Sequence, residues 1–303
     1  MKLSVKKIII GLCAALLIAA LAVPGFLFRY YPRYLNARET YDIAQVEWAE
    51  GEHTVMTFNI RRSDIWEPGK RNWYYRANLA AKSIAEIAPD IIGFQEAKEM
   101  QYMYLLDSLF GYESVNRYRD ESKDPESCPI FYRADRYELM YCNSFWLSES
   151  PMYVSKDWDS GCYRVCVYAI LQERASGREF AVFNTHLDHV SEKARVKGMQ
   201  LILAWMEQQG GIPVILIGDM NMTDDAEPYR LATEGLFDAR RRAKDTMEMH
   251  TYNDWGASAD GSRIDYIFAS KEFSASKYWV ETKTYDGVYT SDHFPACALL
   301  ELK

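Results

Sequence analysis

Pro213-Val214-Ile215-Leu216-Ile217-Gly218-Asp219-Met220-Asn221 is an apolar run that stops in a carboxylate and a carboxamide two residues apart. A short apolar stretch bounded by proline and glycine reads as a buried strand. The residues that follow it are expected where that strand surfaces. Alternate residues of an extended strand end face the same way, so Asp219 and Asn221 are expected to point into one cleft, as a charged acceptor and a neutral donor. The same residues also spell an Asx turn, because Asp and Asn side chains readily bond nearby backbone groups. Taken alone, the segment leaves both readings open.

Outward from this strand the pattern alternates between strand and helix. Residues 54–60 and 90–95 read as strands flanking a helix at 75–88, which Pro89 stops. A short helix is expected at 100–109 and strands at 130–132 and 138–147. Residues 165–173 and 179–186 form a predicted hairpin around Ser176-Gly177. An amphipathic helix at 192–208 precedes the opening strand, and a second helix is expected at 227–233. Strands at 264–269, 277–284 and 295–302 close the chain. Some strands are joined by helices and others by short turns, so mixed parallel and antiparallel pairing follows.

With 303 residues, 49% hydrophobic and 14% aromatic, the chain can bury a large core. No linker interrupts the region after position 49, and one domain over 49–303 is the simplest division. Residues 8–28 carry no charge and are long enough to cross a bilayer as a helix. Lys2, Lys6 and Lys7 precede this run, and the Ala20-Leu21-Ala22 triplet keeps a cleaved signal segment open as the alternative. Residues 1–29 are therefore an expected anchor or signal segment and 30–48 a juxtamembrane linker. Arg29, Arg33 and Arg38 blunt the charge asymmetry, but the terminal lysines favour a cytoplasmic start, with the domain outside a bacterial membrane or secreted if the segment is cleaved. The net charge of −8 argues against a broad basic groove for long nucleic acid. Cys128, Cys142, Cys162, Cys166 and Cys297 imply no disulfide framework in a domain of this size and read as buried thiols.

Five polar deliveries recur at the ends of apolar runs. Asn59 ends the first. Glu96 follows Asp90-Ile91-Ile92-Gly93-Phe94-Gln95, and a carboxylate delivered from a buried strand needs a cation or several donors. Asn184-Thr185-His186-Leu187-Asp188-His189 holds two of only five histidines. Asp219 and Asn221 form the fourth delivery. Asp265, at a strand start, and Asp292-His293 form the fifth. A neighbouring aspartate cannot easily orient the His293 ring, whereas the distant Asp265 can.

Together and in this order the segments resemble the endonuclease/exonuclease/phosphatase superfamily, the metal-dependent phosphohydrolases with the DNase I-like fold. The blocks Asn72-Trp73 with Arg76, Pro89-Asp90-Ile91-Ile92-Gly93 and Phe145-Trp146-Leu147-Ser148 resemble small bacterial members. The resemblance implies a four-layer α/β sandwich, two packed mixed sheets flanked by helices, behind the N-terminal helix. It implies Mg²⁺ or Mn²⁺ on Glu96, with Asn59 and Asp292 assisting directly or through water. His293, oriented by Asp265, would activate water with or beside Asp219, while His186 and Asn221 would hold phosphate oxygens. Arg119, Glu126, Asp188 and His189 are candidate pocket residues. The segment 117–122 lacks the glycines that related sequences carry there, which leaves substrate preference open. The implied activity is hydrolysis of a phosphodiester or phosphomonoester by direct water attack. The substrate would be a lipid head group, an inositol phosphate, a nucleotide or a nucleic acid, with the membrane engaged through the N-terminal helix and no protein partner. An extracellular nuclease and a catalytically silent surface binding module of the same fold are the alternatives.

Overall fold

A computed structural model of the chain describes residues 5–36, 39–258 and 261–303. Two sheets carry the fold. The seven-stranded sheet runs Asp245–Thr246, Phe273–Val280, Ala296–Leu302, Glu52–Asn59, Ile91–Gln95, Ile130–Arg133, Tyr112–Val115. The six-stranded sheet runs Phe237–Asp238, Asp265–Ala269, Val214–Asp219, Glu179–His186, Val165–Glu173, Tyr137–Trp146. Each has a parallel pair near its centre joined through a helix. Glu52–Asn59 leads through helix Trp73–Ile87 to Ile91–Gln95, and Glu179–His186 leads through helix Glu192–Glu207 to Val214–Asp219. The remaining pairings of the long strands are antiparallel, so both sheets are mixed as expected.

Strand alternation sorts the side chains into layers. Val55, Ile91, Val182, Ile215, Ile217 and Ile267 pack together between the sheets. Their neighbours Met56, Phe58, Ile92 and Phe94 face Trp73, Ala77 and Ile84 of the first helix layer. Phe183, Leu216 and Phe268 face Met199 and Ile202 of the second. The result is the four-layer α/β sandwich implied by the sequence, and each fully buried Ile or Phe in it contributes roughly 1.5–3 kcal/mol. The sheets approach closely at Gly93, where an added Cβ would lie 2.7 Å from Asn184 Cγ. Asn184 bridges them there: its Nδ2 donates to the Phe94 and Pro129 carbonyls at 2.8 and 2.9 Å, and Gln95 Nε2 donates to its Oδ1 at 2.7 Å.

Local signals explain the helix ends. Asn72 accepts from Tyr74 N at 3.1 Å and caps Trp73–Ile87, which ends at the left-handed Ala88 just before Pro89. Ser191 caps Glu192–Glu207 by accepting from Ala194 N. The strand expected at 277–284 lies instead at Phe273–Val280, and its register slips between Ala275 and Lys277. That slip breaks the period-two pattern on which the expectation rested. Cys128, Cys166 and Cys297 are buried, but Cys142 is exposed and Cys162 only partly buried.

The N-terminal helix is Val5–Asn36, and its stretch Val5–Gly25 is long and apolar enough to cross a membrane, with none of it buried against the protein. Lys2 and Arg38, two of the charges that frame the expected span, lie outside the described residues. Packing on the domain begins within the expected linker: Tyr41–Asp42 pairs with Leu109–Phe110, Ile43 is buried, and Arg136 lies over the Trp48 ring at 4.4 Å.

Candidate active site

The same alternation that fills the inter-sheet layer carries polar residues to its mouth. Asn59 continues the inward parity of Val55, His186 that of Val182, Asp219 that of Ile215 and Ile217, and Asp265 that of Ile267. His186 pairs with Asp219 and Asp219 with Asp265 across adjacent strands. The carboxyl ends of both parallel pairs thus open on one cleft of about 400 Å³. Glu96, Arg119, Glu126, His186, His189, Asp219, Asn221, Asp292 and His293 line it.

Asn59 Nδ2 donates to Glu96 Oε1 at 3.2 Å and to Asp219 Oδ2 at 2.9 Å, joining the two sheets. His293 Nδ1 lies 2.8 Å from Asp265 Oδ2, and its Nε2 is 3.8 Å from Asp219 Oδ2. His186 Nε2 is 3.4 Å from the same oxygen. Arg119 grips Glu126 through two hydrogen bonds at 2.6 and 3.0 Å, so the glycine-free loop closes on itself at the cleft wall. Behind the site, buried Arg76 donates to the carbonyls of Ile60, Arg61, Arg71 and Thr290, locking the turns that follow Asn59 and precede Asp292. Ser291 Oγ adds a 2.7 Å bond to the Asn59 carbonyl.

Two expectations need correction. Asn221 does not extend the strand, because its φ is 46° and its N–H donates to Asp219 Oδ1 at 3.0 Å. It is an Asx turn and a cleft residue at once, aimed by the turn and by an Nδ2 bond to the Leu187 carbonyl at 3.0 Å. Asp188 lies beneath the cleft, where its carboxylate accepts from Ser160 Oγ, Cys162 N, Val190 N and Ser191 N at 2.8–3.2 Å. Those donors overcome the upward push of burial and hold Asp188 down at about 2. Arg195 Nη1 adds a bond to the Asp188 carbonyl at 2.9 Å.

Arg61, Arg62, Arg164, Cys162 and Tyr252 also line the cleft and carry no periodic signal in the sequence. The position of Arg61-Arg62, directly after the Asn59-Ile60 strand end, was the one available hint. Arg61 and Glu96 share left-handed backbone, with φ of 54° and 60°. Strain of this kind, about 1–3 kcal/mol per residue, collects at functional sites.

The electrostatics divide the carboxylates. Burial pushes Glu96 up, yet the Arg62 N–H, Arg61 and Asn59 Nδ2 bring it below the ordinary range. Burial and the Asp265 charge raise Asp219 to about 7. Burial lowers His293, but Asp265, Asp219 and Asp292 outweigh it and lift the imidazole to about 10. Burial together with Arg164 and Arg119 holds His186 well below its usual value, so it is neutral and has one N–H to give.

The acidic groups suit a hard divalent cation. Arg61 stands between Glu96 and Asp292, with Nη1 4.0 Å from the first and Nε 3.7 Å from the second, and that Nε makes no hydrogen bond. Two carboxylates with loose cationic contacts leave room for a better-fitting ion. Asp219, Asp265 and His293 also bring ligand atoms within 4.8 Å of one another. There the Asp265 bond occupies His293 Nδ1, an arrangement that carries a proton more naturally than a metal.

Fold and site define a protein of DNase I-like architecture that gathers acidic and imidazole groups in one cleft. The chain belongs to the Endonuclease/Exonuclease/phosphatase family, whose profile matches residues 56–293. The endonuclease/exonuclease/phosphatase of Bacteroides vulgatus is 32% identical and superposes with a TM-score of 0.80 over 83% of this chain and 99% of that one. The mannosyl-6-phosphatase of Bacteroides thetaiotaomicron is also 32% identical, with a TM-score of 0.76 over 82% of this chain and 99% of its own. Nocturnin of Drosophila melanogaster is 24% identical over 279 residues, 76% of this chain and 42% of that protein. The chain spans less than half the length of the first curated relatives it matches, at 42%, 25% and 44%.

Proposed function

We propose that this chain is a membrane-tethered, divalent-cation-dependent phosphoesterase that splits a phosphodiester or phosphomonoester by direct attack of water. The supporting observation is the meeting of Glu96, His186, Asp219, Asn221, Asp292 and the Asp265–His293 pair in one cleft. Glu96 and Asp292 would hold Mg²⁺ or Mn²⁺, with Asn59 fixing Glu96; when bound, the cation offsets charge on a phosphate oxygen. Asp219, raised to about 7, is poised to accept a proton from water near neutral pH. His293, held cationic by Asp265, faces the phosphate as a charged donor. Neutral His186 and Asn221 bind the non-bridging oxygens and favour the charge that builds in the transition state.

The substrate class we infer is a small or lipid-derived phosphoester, outside a bacterial membrane. Its support is the acidic balance of the chain, its anchor-like helix and the likeness to a bacterial mannosyl-6-phosphatase. A nuclease reading has the cleft arginines and the 3′-5′-exoribonuclease subunit of Candida albicans among the relatives in its favour. Against it, Arg62 and Arg119 are both ion-paired to Glu126, so the cleft offers no broad basic track. The deciding experiment assays the full chain in detergent with Mg²⁺ or Mn²⁺ against hexose phosphates, inositol phosphates, nucleotides, sphingomyelin, RNA and DNA. Glu96→Ala and His293→Ala should abolish whatever activity appears, and equal activity or equal inertness in all three proteins refutes the reading.

A further inference from the structure

Arg164 stands immediately before the Val165–Glu173 strand, beside the His186 strand end through the Cys166–Thr185 pairing. It is 4% exposed, lines the cleft, and its Nε and Nη1 make no hydrogen bond. A buried guanidinium with idle donors is costly unless something meets it. Asp188 does not meet it fully. Its oxygens already accept four hydrogen bonds, and Arg164 Nε remains 3.7 Å away. The pairing holds Arg164 in position without consuming its donors.

Arg164 Nη2 lies 3.1 Å from His189 Nδ1. Arginine can only donate, so Nδ1 accepts and the His189 N–H lies on Nε2. The wall formed by Arg164, His189, His186 and Asn221 therefore presents N–H groups to the cleft. Behind it, between Arg164, Arg119, Glu126 and His186, only about 10 Å³ is open, roughly the room of one water. An unsubstituted oxygen can seat against that wall, whereas an ester arm on that oxygen finds no room behind it.

We propose that Arg164, held by Asp188 and His189, binds a non-bridging oxygen of a terminal phosphate and directs the site to phosphomonoesters over phosphodiesters. This rests on the phosphoesterase reading above and narrows it. A monoester dianion carries one more free oxygen and one more charge than a diester, and the guanidinium fork matches both.

The test uses the full chain in detergent with Mn²⁺, p-nitrophenyl phosphate and bis(p-nitrophenyl) phosphate, with inorganic phosphate binding followed by calorimetry. Wild type should favour the monoester in kcat/KM. Arg164→Met should lower the monoester-to-diester ratio by about 10- to 100-fold, the worth of one or two charge-assisted hydrogen bonds. Phosphate binding should weaken by about 10-fold or more, with Arg164→Lys recovering part of it and urea midpoints showing that both variants fold. A wild type that favours the diester, or a ratio unmoved in Arg164→Met, overturns this inference and leaves the phosphoesterase reading standing. If neither ester is cleaved but phosphate binding depends on Arg164, the hydrolytic reading falls and the anion assignment survives. Inertness together with phosphate binding indifferent to Arg164 defeats both.

Discussion

Replacing Asp265 by Asn should strip His293 of its extra proton at neutral pH. The pair is buried and 2.8 Å apart, and asparagine keeps an acceptor oxygen of the same reach, so the geometry survives while the charge leaves. Two unit charges at that distance interact by roughly 6 kcal/mol at an effective dielectric near 20, worth about 4 in pKa. Burial opposes the charged ring, yet Asp265 and its acidic neighbours hold it up at about 10. Without Asp265 the ring should titrate at about 6 or below. The stability consequence has a definite sign. A raised imidazole pKa stabilises fully below the unfolded value of about 6.5 and loses that contribution as pH climbs through the folded one. Asp219, raised to about 7 by burial and Asp265, acts in the same direction, with its contribution complete below about pH 4 and lost as pH passes neutrality. These two groups therefore make the cation-free protein lose stability as pH rises from about 6.5 to 10, above the range in which the buried neutral His186 and His53 oppose them, and Asp265→Asn should flatten that decline. With five histidines in the chain, a ring-selective NMR titration can follow His293, assigned through a His293→Gln variant, alongside urea midpoints across the pH range. A wild-type His293 titrating near 6.5, or an Asn variant titrating where wild type does, refutes the electrostatic account of the pair.

Other perturbations separate chemistry from scaffold. Glu96→Gln should weaken Mn²⁺ binding by about 10-fold or more in calorimetry, since the divalent ion loses one of its hard charged ligands, while the cation-free urea midpoint falls only slightly, by the charge that Arg61 and the Arg62 N–H favour. Asn184→Ala removes the amide that bridges the sheets and strands buried carbonyls, and should cost about 2–4 kcal/mol in chemical denaturation; a loss under about 1 kcal/mol contradicts the bridging role. Gly93→Ala pushes a methyl into Asn184 and Ile217 and should cost about 1–3 kcal/mol through overpacking. Membranes bearing the full chain should retain it through high-salt and carbonate washes, and Leu16→Arg, placed mid-span, should release a substantial fraction; a wild type washed off by salt alone rules out the tether.

The strands that build the cleft could be read directly because apolar alternation is a local property. The hairpin at 165–173 and 179–186 emerges at the residues expected, as does the helix that Ser191 starts. The strand at Phe273–Val280 was misplaced because a bulge interrupts its alternation. The cleft arginines gave little signal, since a loop arginine pointing into a site and one pointing at solvent look alike in sequence. Asn221 was expected in the cleft by strand parity; it lines the cleft, but a left-handed turn puts it there, and parity does not extend past the strand end.

What the sequence determined by itself is which side chains share a face and which runs end in reactive groups. Those properties depend on neighbours one to four residues away. Only the tertiary structure decided that the ends meet, as in the bond between Asn59 and Asp219 across 160 positions and the one between Ser291 and Asn59 across 232. Packing of two twisted sheets face to face brings such distant ends together, and the same packing withdraws water from Asp219 and His293 and so sets their proton affinities. A residue type can suggest an acid or a base. Its burial and its nearest charge, which decide the role, exist only once the sandwich has closed.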